Sequence, residues 1–265
     1  MRQILTLTLA LATMWTAGAS DIKDNSDLKQ VAEQATQFIA ARTPSTNTAT
    51  GPCSTSVTDA SGFVMISDVI PDVVVEPRYY SNYNFVGVRV DGYEEPIAIC
   101  TREAAAALKL VADELRVKGY LLKIYDAYRP QQAVDHFVRW TAEADTSTKA
   151  DFYPDFKVKS KLFPDYIAKK SGHTKGSTLD LTIVHADTKE EVDMGGTFDF
   201  LGVISHYKYN KITKEQQENR KILHDAMVSH GFKAYSQEWW HFTLKDQPYP
   251  DTYFQFPLNS NILLP

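Results

Sequence analysis

Ser171-Gly172-His173-Thr174-Lys175-Gly176-Ser177-Thr178-Leu179-Asp180-Leu181-Thr182-Ile183-Val184 reads as a loop that runs into a strand. Gly176 allows a tight turn, and residues 178–184 then alternate with the period of two that marks a strand. One residue in that run is out of place. Asp180 sits among Leu179, Leu181 and Ile183, where a carboxylate is expensive to bury unless it is paired or bound to a metal. A turn cap or a lysine partner would be the plainer explanation.

Working outward, the flanking segments alternate between helical and strand patterns. Residues 63–75 are rich in Val and Ile, which suits a strand interrupted at Pro71. Thr101 is placed to cap a helix to about Lys118, with Leu108, Val111 and Leu115 on its inner face and Gly119 as its stop. Tyr120 to Tyr125 reads as a short buried strand, and Pro130 opens a helix to about Ala144. Residues 215–230 form a last helix closed by Gly231, and aromatic residues in 239–243 suggest one more strand. Helices and strands interleave without strict βαβ order, so the fold class is α+β, in a single domain over 63–265.

The N-terminal part has a different character. Arg2, the apolar stretch Ile4 to Trp15 and the small residues Ala17-Gly18-Ala19 form a signal peptide over 1–19. The apolar run is shorter than the roughly 20 residues of a transmembrane helix. Residues 20–62 hold an amphipathic helix at about 25–41 and a Ser/Thr-rich linker over 43–62. The protein is therefore expected to be exported, either periplasmic or secreted. Its two cysteines, Cys53 and Cys100, are expected to pair as a disulfide in an oxidising compartment. With a net charge of −5 and no dense Lys/Arg stripe, nucleic acid is excluded as a partner.

A catalytic zinc site needs three protein ligands, an open position for water, and a carboxylate nearby to take the water's proton. His173 and Asp180 supply two ligand types, and Glu238-Trp239-Trp240-His241 adds a carboxylate and an imidazole beside indoles that can exclude water. Each piece also has an ordinary reading. A lone histidine is more often structural, and His136, His185, His206, His224 and His230 are read that way. Glu238 and His241 pose a geometric difficulty, because residues three apart on an ideal strand face opposite sides. They can converge only if the strand starts late, twists or bulges.

Taken in order, the S-x-H-x-x-G-x-x-x-D segment (171–180) and the E-x-W-H segment (238–241) resemble the VanX-type D-alanyl-D-alanine dipeptidases. These are zinc peptidases related to D,D-carboxypeptidases and the hedgehog domain. Asp126-Ala127-Tyr128-Arg129-Pro130, Met194-Gly195-Gly196-Thr197-Phe198-Asp199, and Arg78-Tyr79 with Asn84-Phe85 narrow the resemblance to the dipeptidase branch. It covers roughly residues 65–245. It implies a central, mainly antiparallel sheet flanked by helices, and one zinc ion on His173, Asp180 and His241. It implies Glu238 as general base and then acid, and Arg129 as the cation that steadies the oxyanion. It also implies Ser171 and Asp199 gripping the ammonium of a small dipeptide, with Tyr79 and Tyr93 lining the pocket.

The chain departs from the family pattern in carrying Lys175 where relatives often have Arg, and in the export signal and extra segment before residue 63. Two other readings stay open: a D,D- or L,D-carboxypeptidase working on peptidoglycan stem peptides, and a non-catalytic zinc-bearing binding module. Glu238 and Arg129 speak against the second, since a binding module has no need of a proton shuttle.

Overall fold

The computed structural model describes residues 57–263. The signal peptide, the helix expected over 25–41, most of the linker and Cys53 lie outside the described residues. From Phe63 the chain forms β1 (Phe63–Met65), α1 (Ile66–Val69), β2 (Val74–Val75) and β3 (Ile99–Thr101). There follow α2 (Arg102–Val117), β4 (Tyr120–Asp126), α3 (Gln131–Trp140) and α4 (Lys149–Phe152). The last elements are β5 (Thr178–His185), α5 (Lys214–Ser229), β6 (Phe232–Ala234) and β7 (His241–Leu244).

Five strands make the main sheet in the order β2-β4-β5-β7-β6. Only β2 with β4 is parallel, and the three other pairings are antiparallel. β1 and β3 form a separate antiparallel pair. α2 and α5 pack on the sheet and on each other. Leu179, Leu181 and Ile183 of β5 share one core with Leu108, Val111 and Leu115 of α2 and Leu223 and Met227 of α5. This is the α+β arrangement expected from the sequence.

Local chemistry explains where the helices begin. The Thr101 hydroxyl accepts a hydrogen bond from Ala104 N and caps α2, and Gly119 follows the helix in the left-handed region (φ 85°). At α5, Thr213 and Gln216 form a reciprocal capping box. Two expectations are corrected. Residues 63–75 are not one strand: Ile66–Val69 winds into a helical turn, with Ile66 fully buried and its N–H donated to Ala98 O. The helix after Pro130 ends at Trp140 rather than near 144. There the Thr141 hydroxyl bonds back to Val138 O, and Trp140 is buried against Phe85 and Tyr153.

One irregularity in the sheet decides which way the end of β4 faces. β4 and β5 pair in a constant register from Tyr120↔His185 to Ile124↔Leu181, and then slip so that Asp126 stands opposite Asp180. Tyr125 is the extra residue of a β-bulge. Continued without the bulge, the register would set Asp126 against Leu179, on the side that faces the helices.

Cys100 lies in β3 as a fully buried free thiol, and burial pushes its ionisation far above the usual thiol range. Cys53, its expected disulfide partner, lies outside the described residues. No helix among the described residues is long and apolar enough to cross a membrane.

Candidate active site

The sheet register places Asp126, Asp180 and His241 in one row across β4, β5 and β7, since Asp180 pairs with both Asp126 and His241. Directly opposite residues in an antiparallel pair point to the same face. The side chains in this row project to the face opposite Leu179 and Leu181.

His173 reaches the row from a 3-10 turn, Gly172–Lys175. Ser171 caps that turn, its hydroxyl accepting from His173 N at 3.2 Å. Gly176 closes it at φ 82°, and a Cβ there would lie 2.3 Å from the Phe63 ring, so only glycine fits. The loop is fastened to the start of α2 by Thr101 N to Gly176 O (2.9 Å) and by the hydroxyls of Thr101 and Ser177 (2.8 Å).

Three ligand atoms converge. His173 Nε2 lies 3.2 Å from Asp180 Oδ2, His241 Nδ1 lies 3.0 Å from Asp180 Oδ1, and the two imidazole nitrogens are 3.3 Å apart. Ligands on tetrahedral arms of about 2.0–2.1 Å stand about 3.3 Å from one another, so the spacing fits one zinc ion. The donor set of two imidazoles and a carboxylate fits as well. The other ring nitrogen of His173, Nδ1, lies 2.8 Å from Ala127 O, an arrangement that leaves Nε2 its lone pair. Asp180 Oδ1 is a buried acceptor that no hydrogen bond satisfies. The His173 and His241 charges hold the Asp180 carboxyl well below its usual range against the cost of burial. Among the described residues, these three form the one group able to hold a metal ion.

Glu238 resolves the geometric difficulty seen in the sequence. β7 begins only at His241, so Glu238 lies in the turn before it, where Glu238 N bonds to Tyr235 O and His241 N to Glu238 O. Freed from strand alternation, its Oε2 comes within 3.4 Å of His241 Nδ1. Burial pushes the Glu238 carboxyl up to about 7, with the His241 charge pulling the other way. Trp239 and Trp240 are buried beside it.

Arg129 is fixed on the other flank. Its guanidinium contacts Asp126 Oδ2 at 2.8 Å and Asp180 Oδ2 at 3.5 Å, and stacks over the rings of Tyr79 and Phe137. Asp126 is the residue whose role sequence reading missed. It is 2% exposed, accepts the Tyr93 hydroxyl at 2.6 Å, and lies 3.6 Å from His173 Nδ1. Burial pushes its carboxyl up and Arg129 draws it down. An acidic residue ending the apolar run of β4, three before an arginine, was the available signal.

His173, Asp180, His241, Glu238 and Arg129 open onto a cavity of about 240 Å³ that also takes in Tyr79, Ser171 and Asp199, whereas Asp126 lies outside its lining. Asp199 has a left-handed backbone (φ 60°). Its Oδ1 accepts the Tyr79 hydroxyl at 3.2 Å, while its buried Oδ2 has no partner. Burial, reinforced by the Asp180 charge, pushes this carboxyl well up. Tyr93 is placed differently from expectation. It does not line the cavity but lies a layer behind Tyr79, ring centroids 5.6 Å apart, with its hydroxyl committed to Asp126. The five histidines read as structural meet ordinary neighbours, His230 with Glu114 and His224 with Tyr207 among them.

Comparison with known proteins agrees with this geometry. Residues 59–259 match the Peptidase M15 family described as D-ala-D-ala dipeptidase. The chain is 40% identical over 200 residues to the D-alanyl-D-alanine dipeptidase of Enterococcus faecalis, covering 75% of this chain and 99% of that one. It is 39% identical over 198 residues to the enzyme of that name from Enterococcus faecium (74% and 98% covered). It is 38% identical over 197 residues to that from Streptomyces coelicolor (74% and 98%).

Proposed function

The chain belongs to the D-Ala-D-Ala dipeptidase family of zinc metallopeptidases, and from that premise we propose that it hydrolyses D-alanyl-D-alanine or a similar small dipeptide in cell-wall metabolism. The observation that carries the proposal is the meeting of His173, Asp180 and His241 with Glu238 alongside, in one small cavity that also holds Arg129 and Asp199. His173, Asp180 and His241 are the zinc ligands in this reading. When bound, zinc supplies a Lewis acid and lowers the pKa of a coordinated water to about 7.

Glu238 takes the proton of the attacking water and later returns it to the leaving amine. Its raised affinity for protons suits both halves of that cycle, since a general base works best when its pKa lies near the operating pH. Arg129, braced by Asp126, faces the oxygen on which negative charge develops. Asp199 and Ser171 receive the substrate's ammonium, and the unpartnered Oδ2 of Asp199 gains a cation where burial now penalises its charge. Phe137, Val134 and Phe85 form an apolar wall suited to a small side chain.

A cavity of about 240 Å³ lies below the roughly 300–1,000 Å³ of drug-sized ligand sites. It favours a dipeptidase over a carboxypeptidase that must admit a peptidoglycan stem. The residues around Arg2, Ile4 to Trp15 and Ala17-Gly18-Ala19 support an exported enzyme, periplasmic or secreted. The test is a panel of L,L-, L,D- and D,D-dipeptides beside a stem pentapeptide, assayed with zinc-loaded protein. Cleavage of D-alanyl-D-alanine without cleavage of the pentapeptide is expected. Faster release of the terminal residue from the pentapeptide would reverse the assignment, and stoichiometric zinc without any hydrolysis would favour a binding module.

A further inference from the structure

Arg220 lies on α5, outside the cavity, and is 2% exposed. Its guanidinium donates to three main-chain carbonyls: Nε to Met194 O (2.6 Å), one terminal nitrogen to His206 O (2.9 Å) and the other to Ile204 O (2.9 Å). Burial pulls its pKa down to about 10, against the charge of Asp193. A cation buried at such expense to tie down loop carbonyls calls for an explanation in what that loop carries.

The loop carries Asp199. Its left-handed backbone is a conformation that a non-glycine residue keeps only when its surroundings hold it there. Ser205, between the two carbonyls of Ile204 and His206, donates its hydroxyl to Phe200 O at 2.5 Å, one residue from Asp199. Two further side chains on the same face of α5 hold the loop's other end. Gln216 Nε2 donates to Asp193 Oδ2 (2.8 Å) and Asn219 Nδ2 to Asp193 O (2.9 Å). Positions 216, 219 and 220 share one helix face by their spacing.

We propose that Arg220 is a positioning residue for recognition of the substrate's amino terminus, clamping Met194, Ile204 and His206 so that the loop holds Asp199 at the cavity. This rests on the reading of Asp199 as the partner of the ammonium. Lysine cannot replace arginine here, because three carbonyls are met by three nitrogens of one planar fork.

The experiment is a double-mutant cycle on the zinc-loaded enzyme, with Arg220→Lys, Asp199→Asn and the pair assayed on D-alanyl-D-alanine. Zinc content and thermal midpoint are measured for each protein. Arg220→Lys is expected to raise KM about tenfold while changing kcat less. In the Asp199→Asn background it should add less than about twofold, because the two residues act through one contact. An unchanged KM in Arg220→Lys, or its full penalty recurring without Asp199, overturns the inference while leaving the reading of Asp199 in place. An unchanged KM in Asp199→Asn removes that reading and the inference with it. If Arg220→Lys does not fold, the half-buried Asn219→Ala decides. A KM rise of about two- to threefold that vanishes without Asp199 supports the clamp, and no rise overturns it.

Discussion

Asp126 and Asp180 stand directly opposite each other on β4 and β5, and the single guanidinium of Arg129 reaches both, at 2.8 Å and 3.5 Å. One of these carboxylates belongs to the ligand group and the other does not. Arg129 is thus held by a partner that has no place on the metal, and its position should not depend on the metal being present.

Asp126→Asn is expected to keep zinc and lose rate. The substitution removes the charge that fixes Arg129 and the acceptor best suited to the Tyr93 hydroxyl. A fall in kcat of about 100-fold, with a smaller change in KM, is the expected outcome. Steady-state kinetics alongside metal analysis decides it, and a kcat within about twofold of the parent would show that Arg129 needs no such brace.

Glu238→Gln should bind zinc as the parent does and lose about 10²–10⁴-fold in kcat, because the amide cannot accept the proton. Its side chain contacts His241 but is not one of the three converging ligands. Turnover close to that of the parent would remove Glu238 from the mechanism.

Removing zinc with a chelator should abolish hydrolysis and lower the thermal midpoint, with both restored by added zinc. Asp180→Ala should show no such zinc-dependent gain in stability, since it takes away the oxygens that the two imidazoles approach. A midpoint in Asp180→Ala that still climbs with zinc as in the parent would place the metal elsewhere.

Far from the cavity, Arg116 donates two hydrogen bonds of 2.7 Å to Asp72 and holds its carboxyl below the usual range. A depressed folded pKa stabilises the fold above the unfolded value of about 3.9, and that contribution disappears as pH falls through the folded value. Both side chains are 38% exposed, so the contribution is small, below about 1 kcal/mol. Asp72→Asn should therefore lower the thermal midpoint slightly at neutral pH and make no difference near pH ~2. An equal penalty at both pH values would show that the ion pair is not its source.

Cys100 should resist alkylation in the folded protein and react only after denaturation, as expected of a thiol with no exposed surface. Intact-mass measurement before and after unfolding reads this directly. Labelling of residue 100 under native conditions would contradict its burial.

Much of this arrangement was legible in the sequence because the deciding features are local. Thr101 before an apolar-periodic stretch, Gly119 and Gly231 after two helices, and Asp180 amid leucines each carry their meaning within a few residues. Glu238 and His241 were legible as a pair but not as a geometry, since the start of β7 is fixed by its pairing with β5 and β6. The helical turn at Ile66 was hidden for a similar reason: Val and Ile suit a strand, but the bond from Ile66 N to Ala98 O comes from a distant segment. Asp126 carries a local signal at the end of β4, but its role, like that of Arg220, is set by contacts across the fold. Only the family resemblance puts Tyr93 in the pocket, and packing, which spacing does not record, sets it a layer behind Tyr79.

The additional residue at Tyr125 has a consequence for anyone transplanting this centre into another scaffold. Copying the three ligands and the glutamate onto a regular strand ladder would leave residue 126 aimed into oil, and the arginine would arrive without its anchor. Parity along β4 is thus part of how the site is built: a ladder that kept Tyr125 but ironed out the bulge would turn Asp126 toward the helices while all three ligands stayed in the sequence.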